Sequence, residues 1–188
     1  MKEHEVRREG GRRRPLTIVA VAVAAVLVAT GLYWFEPWKL WQDQRVSEAL
    51  PSTAPSRPAA GSASAAPAPP GPRTVAQGRL ISHEHTTTGT VKIVRLPDGS
   101  HTLRLEGLDT SNGPDLRVWL TDAPVKEGTV GWRVFDDGKY VSLGKLKGNK
   151  GDQNYPIPAD VKLSEYTSVT IWCDRFDVSF GAAALASA

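Results

Sequence analysis

Hydrophobic positions divide the chain into two patterns. From Leu16 to Phe35 the run LTIVAVAVAAVLVATGLYWF holds twenty residues without a charge. As a helix at 1.5 Å per residue it spans roughly 30 Å, the thickness of a bilayer's hydrocarbon core. Beyond about Thr74 the apolar residues come instead in short runs, rich in β-branched side chains and separated by turn signals. Residues 79–82 and 87–96 are the first two predicted strands. The stretch LPDGS at 96–100 is a turn leading into HTLRLEGL, so a hairpin is expected there. SNGPD at 111–115 opens LRVWL, and Asp137-Gly138 precedes KYVSLGKL. KGNKGD at 147–152 reads as a hairpin loop before QNYPI, and TSVTIWC and FDVSFGAAAL close the chain. About eight short strands in 115 residues, with no sustained 3.6-residue period, predict an antiparallel β-sandwich.

Between the two patterns lies a segment with little to bury. Residues 51–73 hold seven of the fourteen prolines, seven alanines and four serines. Such a segment cannot offset its ordering entropy and reads as a disordered linker, extended enough to act as a stalk. A short helix is expected just before it, over 42–50. The predicted organisation is therefore a basic tail (1–15), a membrane-spanning anchor (16–35), an aromatic interface segment and linker (36–73), and a β-sandwich (74–188).

Charge refines this picture. Residues 1–73 carry 10 Lys/Arg against 6 Asp/Glu, whereas residues 74–188 carry 13 against 14. The basic excess thus lies outside the sandwich, which argues against nucleic acid as a partner. Lys2, Arg7, Arg8, Arg12, Arg13 and Arg14 precede the apolar run and predict a cytoplasmic N-terminus. Tyr33, Trp34, Trp38 and Trp41 suit the outer interface and occupy the place where a signal peptide would be cleaved. The expectation is an uncleaved, single-pass signal anchor in the cell membrane with the sandwich extracytoplasmic. The Ala-, Arg- and Pro-rich composition suggests a bacterial source.

Candidate chemistry is sparse. Cys173 is the only cysteine, which excludes an intramolecular disulfide and multi-cysteine zinc sites. Alternation places it on the face of Val169 and Ile171, opposite Thr170 and Trp172. Two readings remain open at this point: a small buried hydrophobe with a raised thiol pKa, or a thiol or ligand opening onto a pocket. His83 and His85, in SHEHTTTG, would share a face if that stretch were a strand and could then bind a transition metal with a third ligand from His101 or Cys173; the expectation is instead a turn with solvent-facing histidines and no metal. Met1 is the only methionine, so a His/Met haem pocket is excluded in the domain, and His/Cys ligation could only use Cys173 with His83, His85 or His101. No nucleophile elbow or phosphate-binding loop occurs. Trp119, Trp132, Trp172 and Tyr155 are candidates for a ligand groove, although aromatic residues in β domains usually belong to the core.

Several of these runs carry a resemblance. HTTTGTVKIV, LDTSNGPDLRVWL, VSLGKLKGNKGDQNYPIP and YTSVTIWCDRFDVSFGAAAL resemble the DM-thirteen domain, the electron-transfer DM family related to DOMON domains. The likeness covers about residues 76–186. Its most specific marks are Gly113-Pro114-Asp115-Leu116, Leu146-Lys147-Gly148-Asn149, and Trp172-Cys173 with Phe176. The resemblance implies a DOMON- or immunoglobulin-like sandwich in an extracytoplasmic setting. It also implies a redox role for Cys173, either as a free thiol or as a ligand to a group such as haem, with His85 as the first candidate for a second ligand. The expected function is a membrane-anchored electron-transfer module with an unidentified redox or cell-envelope partner. The competing expectation is a non-catalytic binding domain in which Cys173 is merely packed.

Overall fold

The computed structural model describes residues 13–35, 42–51 and 71–188. They fall in two compact units, one within residues 1–38 and one within residues 39–188. The tail 1–12, Trp38, Trp41 and linker residues 52–70 lie outside the described residues.

In the first unit a single helix, α1 (Arg13–Phe35), contains the uncharged run. Leu16–Phe35 is long and apolar enough to cross a bilayer. Its leucines and valines are exposed along its length.

The second unit is a two-layer β-sandwich. One sheet joins β1 (Arg45–Ser47), β8 (Lys150–Ile157), β5 (His101–Asp109), β4 (Thr88–Arg95), β2 (Arg73–Arg79) and β11 (Ala186–Ser187), in that spatial order. The other joins β3 (Ile81–Ser82), β10 (Val178–Ala184), β9 (Ser168–Cys173), β6 (Leu116–Thr121) and β7 (Tyr140–Lys145). All pairings are antiparallel except β1 with β8. The β4–β5 hairpin forms at Leu96–Ser100, where the Leu96 and Gly99 amides close the turn and Asp98 Oδ1 accepts from the Ser100 amide at 2.9 Å.

Alternation sorts the side chains. Val118, Leu120, Val169 and Ile171 enter one core with Val91, Leu103, Leu105 and Tyr155 of the facing sheet. Each large apolar side chain buried there stabilises the fold by roughly 1.5–3 kcal/mol. The outer face of the five-stranded sheet carries a second, smaller core. There Trp119, Trp172 and Ala182 are covered by Ala123 and Phe135 from the 122–139 connection. With both faces covered, all six residues of β9 are buried.

Two local expectations are corrected. Residues 45–47 form no part of a helix; they pair parallel to Lys150–Asp152 on the open edge of β8. KGNKGD is no hairpin loop either, because β7 and β8 belong to different sheets and the segment crosses between them. Its glycines make room for the added strand. A Cβ at Gly148 or Gly151 would collide with the carbonyls of Gln44 and Val46, and Gly151 takes a φ of 96°. Asn149 fastens the same contact, accepting from the Gln44 amide at 2.6 Å and donating to Asp43 and to the Thr110 carbonyl. Both flanks of the Pro/Ala-rich segment, 42–51 and 71–79, therefore belong to one sheet.

Candidate functional site around Cys173

Cys173 closes β9, opposite Leu116 of β6 and Val178 of β10. It lies with Val169 and Ile171 in the core between the sheets, fully buried. Burial pushes its thiol up from the ordinary value, because an apolar setting disfavours the thiolate. The backbone N–H groups of Arg175, Phe176 and Asp115 oppose this shift, and the Asp115 carboxylate adds to it. The sulfur is therefore a protonated thiol at neutral pH.

Two chain segments cap the end of β9. In the β9–β10 turn the Phe176 amide returns to the Cys173 carbonyl at 3.2 Å, and Asp177 adopts a φ of 49°. Arg133 clamps the turn by donating to the carbonyls of Phe176 and Asp177, both at 3.1 Å. The Asp174 amide donates to the Asp115 carbonyl at 3.0 Å, which holds the Gly-Pro-Asp turn against β9. A charged rim completes the end. Arg117 Nε meets Asp174 at 2.9 Å, its Nη2 meets Asp115 at 3.3 Å, and Lys145 lies 3.7 Å from Asp115.

The histidines do not gather around this thiol. Residues 83–85 form a bend, so His83 and His85 do not share a strand face. His83 turns into the outer layer, where Nδ1 accepts from Ser179 Oγ at 2.8 Å and Nε2 donates to the Lys126 carbonyl at 3.1 Å. Thr170 continues this chain by donating to Ser179 at 2.8 Å. Burial holds the His83 pKa below its ordinary value. His85 stacks on Phe180, centroids 3.9 Å apart, and pairs with Glu84 at 2.5 Å. His101 lines a cleft with Ile157, Val161 and Leu163, on the path towards Ser168 at the start of β9, whereas Cys173 is at its end. Among the described residues no three His, Cys, Asp or Glu side chains form a metal-binding group.

The same arrangement tests the haem that the resemblance implied. An axial sulfur needs open volume beside it for a porphyrin, and Cys173 is enclosed on a fully buried strand. His85 is engaged by Phe180 and Glu84. The clefts of 260–420 Å³ near His101, Glu48, Arg95 and Asp122 are lined by other residues. As arranged, these residues do not fit a haem.

The aromatic candidates also separate. Tyr155 is in the inter-sheet core, its hydroxyl donating to Gln153 at 2.7 Å and accepting from the Lys147 amide. Trp132 packs against that core too. Trp119 and Trp172 lie in the outer layer instead, so the four do not line one groove. Tyr140, which sequence reading passed over, stacks on Trp119 with centroids 4.0 Å apart. Its signal was readable in part, because Tyr140 begins the KYVSLGKL strand after an Asp-Gly turn.

The model of one protein family, described as electron transfer DM13, matches residues 79–185. That span begins at the end of β2 and includes Cys173, its turn and its charged rim. No curated protein and no solved structure matches the chain.

Proposed function

Because the chain belongs to the electron transfer DM13 family, we propose that it is a membrane-anchored, extracytoplasmic module that passes single electrons through Cys173. The family supports the electron-transfer part. The apolar run of α1 and the basic residues before it support anchoring with the sandwich outside. The observation that carries the assignment to Cys173 is its setting: the only thiol in the chain sits, enclosed between the sheets, at a strand end inside the matched span that the Arg117–Asp174 pair flanks.

In the proposed step Cys173 gives one electron to a one-electron acceptor supplied by a partner. The thiol proton goes to Asp115, whose charge already acts on the thiol and whose buried Oδ1 accepts no hydrogen bond among the described residues, although Lys145 Nζ lies 3.7 Å from it. The thiyl radical regains an electron from the next donor and the proton from Asp115, which restores the thiol. The enclosed position keeps water and peroxide from the sulfur, which favours reversible one-electron chemistry over progressive oxidation. A ligand role for His85 would require its ring to leave Phe180 and Glu84.

Full burial and the raised thiol pKa favour a second reading, an interaction domain in which Cys173 only packs. Stopped-flow oxidation with hexachloroiridate(IV) separates the two. Full-length protein in detergent should consume one electron equivalent more than Cys173→Ala. Equal consumption by the two folded proteins would leave the packing role.

A further inference from the structure

We infer that Tyr140, Trp119 and Trp172 form an electron relay connecting Cys173 to a docking point for the redox partner at the Tyr140 surface. The stack is continuous. Tyr140 lies on Trp119 at 4.0 Å between centroids, nearly parallel at 8°, and Trp119 lies on Trp172 at 5.0 Å and 23°. Trp172 is peptide-bonded to Cys173, so the two Cα atoms are about 3.8 Å apart. Strand register produces this alignment. Trp119 faces Thr170 on β9 and Ser142 on β7, which makes Trp172 and Tyr140 its diagonal neighbours on the same sheet face.

Exposure falls from one end to the other. Tyr140 is 45 % exposed, whereas Trp119 and Trp172 are 4 % and 1 % exposed. An external molecule can thus touch the first ring but not the other two. Phe135 meets Trp172 edge-on at 6.4 Å, and Ala123, Val125 and Val134 complete the cover. Phenylalanine is far harder to oxidise than tryptophan, so this sheath does not branch the path. Trp119 Nε1 is buried with no hydrogen-bond partner among the described residues. A tryptophan cation radical formed there has no hydrogen-bonded acceptor among the described residues to take its proton, so it is refilled by the next ring instead of being trapped as a neutral radical.

The inference rests on Cys173 as the electron source. A one-electron oxidant over Tyr140 is reduced by one electron. Tyr140 loses an electron and its phenolic proton to water and regains both, and Trp119 and Trp172 are each oxidised and re-reduced in turn, with no net change. Cys173 loses one electron and, as above, its proton to Asp115. The partner is therefore a one-electron acceptor that presents its redox group to an exposed phenol ring.

The test places an oxidant beside Tyr140. Lys139 is 67 % exposed, and Lys139→Cys in the full-length protein, labelled with a ruthenium polypyridyl sensitiser while Cys173 remains enclosed, is flashed with a sacrificial electron acceptor. The relay predicts a transient tryptophan-radical absorbance that is lost in Trp119→Phe and restored in Trp119→Tyr, which keeps an oxidisable ring. Matching thermal melts of the two variants exclude a folding defect as the cause. A tryptophan signal unchanged by Trp119→Phe, or absent from the parent, overturns the relay. In Cys173→Ala the signal should form and outlive that of the parent. Unchanged decay there overturns Cys173 as the source while leaving the aromatic path intact.

Discussion

At the scale of single residues the balance at Cys173 is between burial and main-chain donors, and burial prevails. The thiol should resist alkylation in the folded protein and react at its ordinary rate once the protein is unfolded in denaturant, as thiol titration would record. Cys173→Ser places a hydroxyl among Leu116, Val169, Ile171 and Val178 and should cost about 1–3 kcal/mol in a denaturant melt. His83 supplies a pH-dependent contribution. Its folded pKa lies below the ordinary 6.5, so the unfolded chain binds the extra proton first. Its stabilising contribution is complete above pH 6.5 and declines as pH falls from there through the lower folded value. Melts taken down to about pH 4.5, above most carboxylate titration, should show this decline in the parent and not in His83→Gln. The facing of Cys173 was legible from strict alternation in TSVTIWC, which the core confirms. The inward turn of His83 was not, because its partners Ser179 and Lys126 are 96 and 43 residues away in sequence.

At the scale of elements, the runs with strong period-two patterning became strands close to their expected bounds, and the Pro-Asp-Gly turn made its hairpin. Strand β1 was hidden for a physical reason. Three polar-flanked residues have no intrinsic preference for extension; they are ordered by the edge of β8, about 105 residues later. Glu48 shows the same dependence on distant groups, bonded to Lys147 Nζ at 2.7 Å and to the Asn154 amide at 2.7 Å. Lys147 also pulls the Glu48 carboxyl below the usual range. Gly151→Ala must place a Cβ against Val46 at a positive φ and should destabilise by about 1–3 kcal/mol. Hydrogen exchange should show this loss first as faster exchange at the Lys150 amide, which donates to Gln44. Exchange that quickens uniformly across the sandwich would argue against an independently opening strand.

At the scale of the whole molecule, an apolar helix and a β-sandwich of the DM13 electron-transfer family share one chain. The proposed anchoring predicts that full-length protein stays in the membrane fraction after alkaline carbonate washing, and that removing residues 1–38 releases it. With the N-terminus cytoplasmic, protease added to intact cells stripped of outer layers should reach the sandwich side only. The apolar helix and the family were legible in sequence because both are local patterns. The outer aromatic layer was not, because it depends on which strands become neighbours. Protein-film voltammetry on full-length protein in a supported bilayer tests the central claim most directly. The account predicts a one-electron wave that disappears in Cys173→Ala while the fold is kept. A wave that survives this substitution, or no wave in either protein, would contradict it.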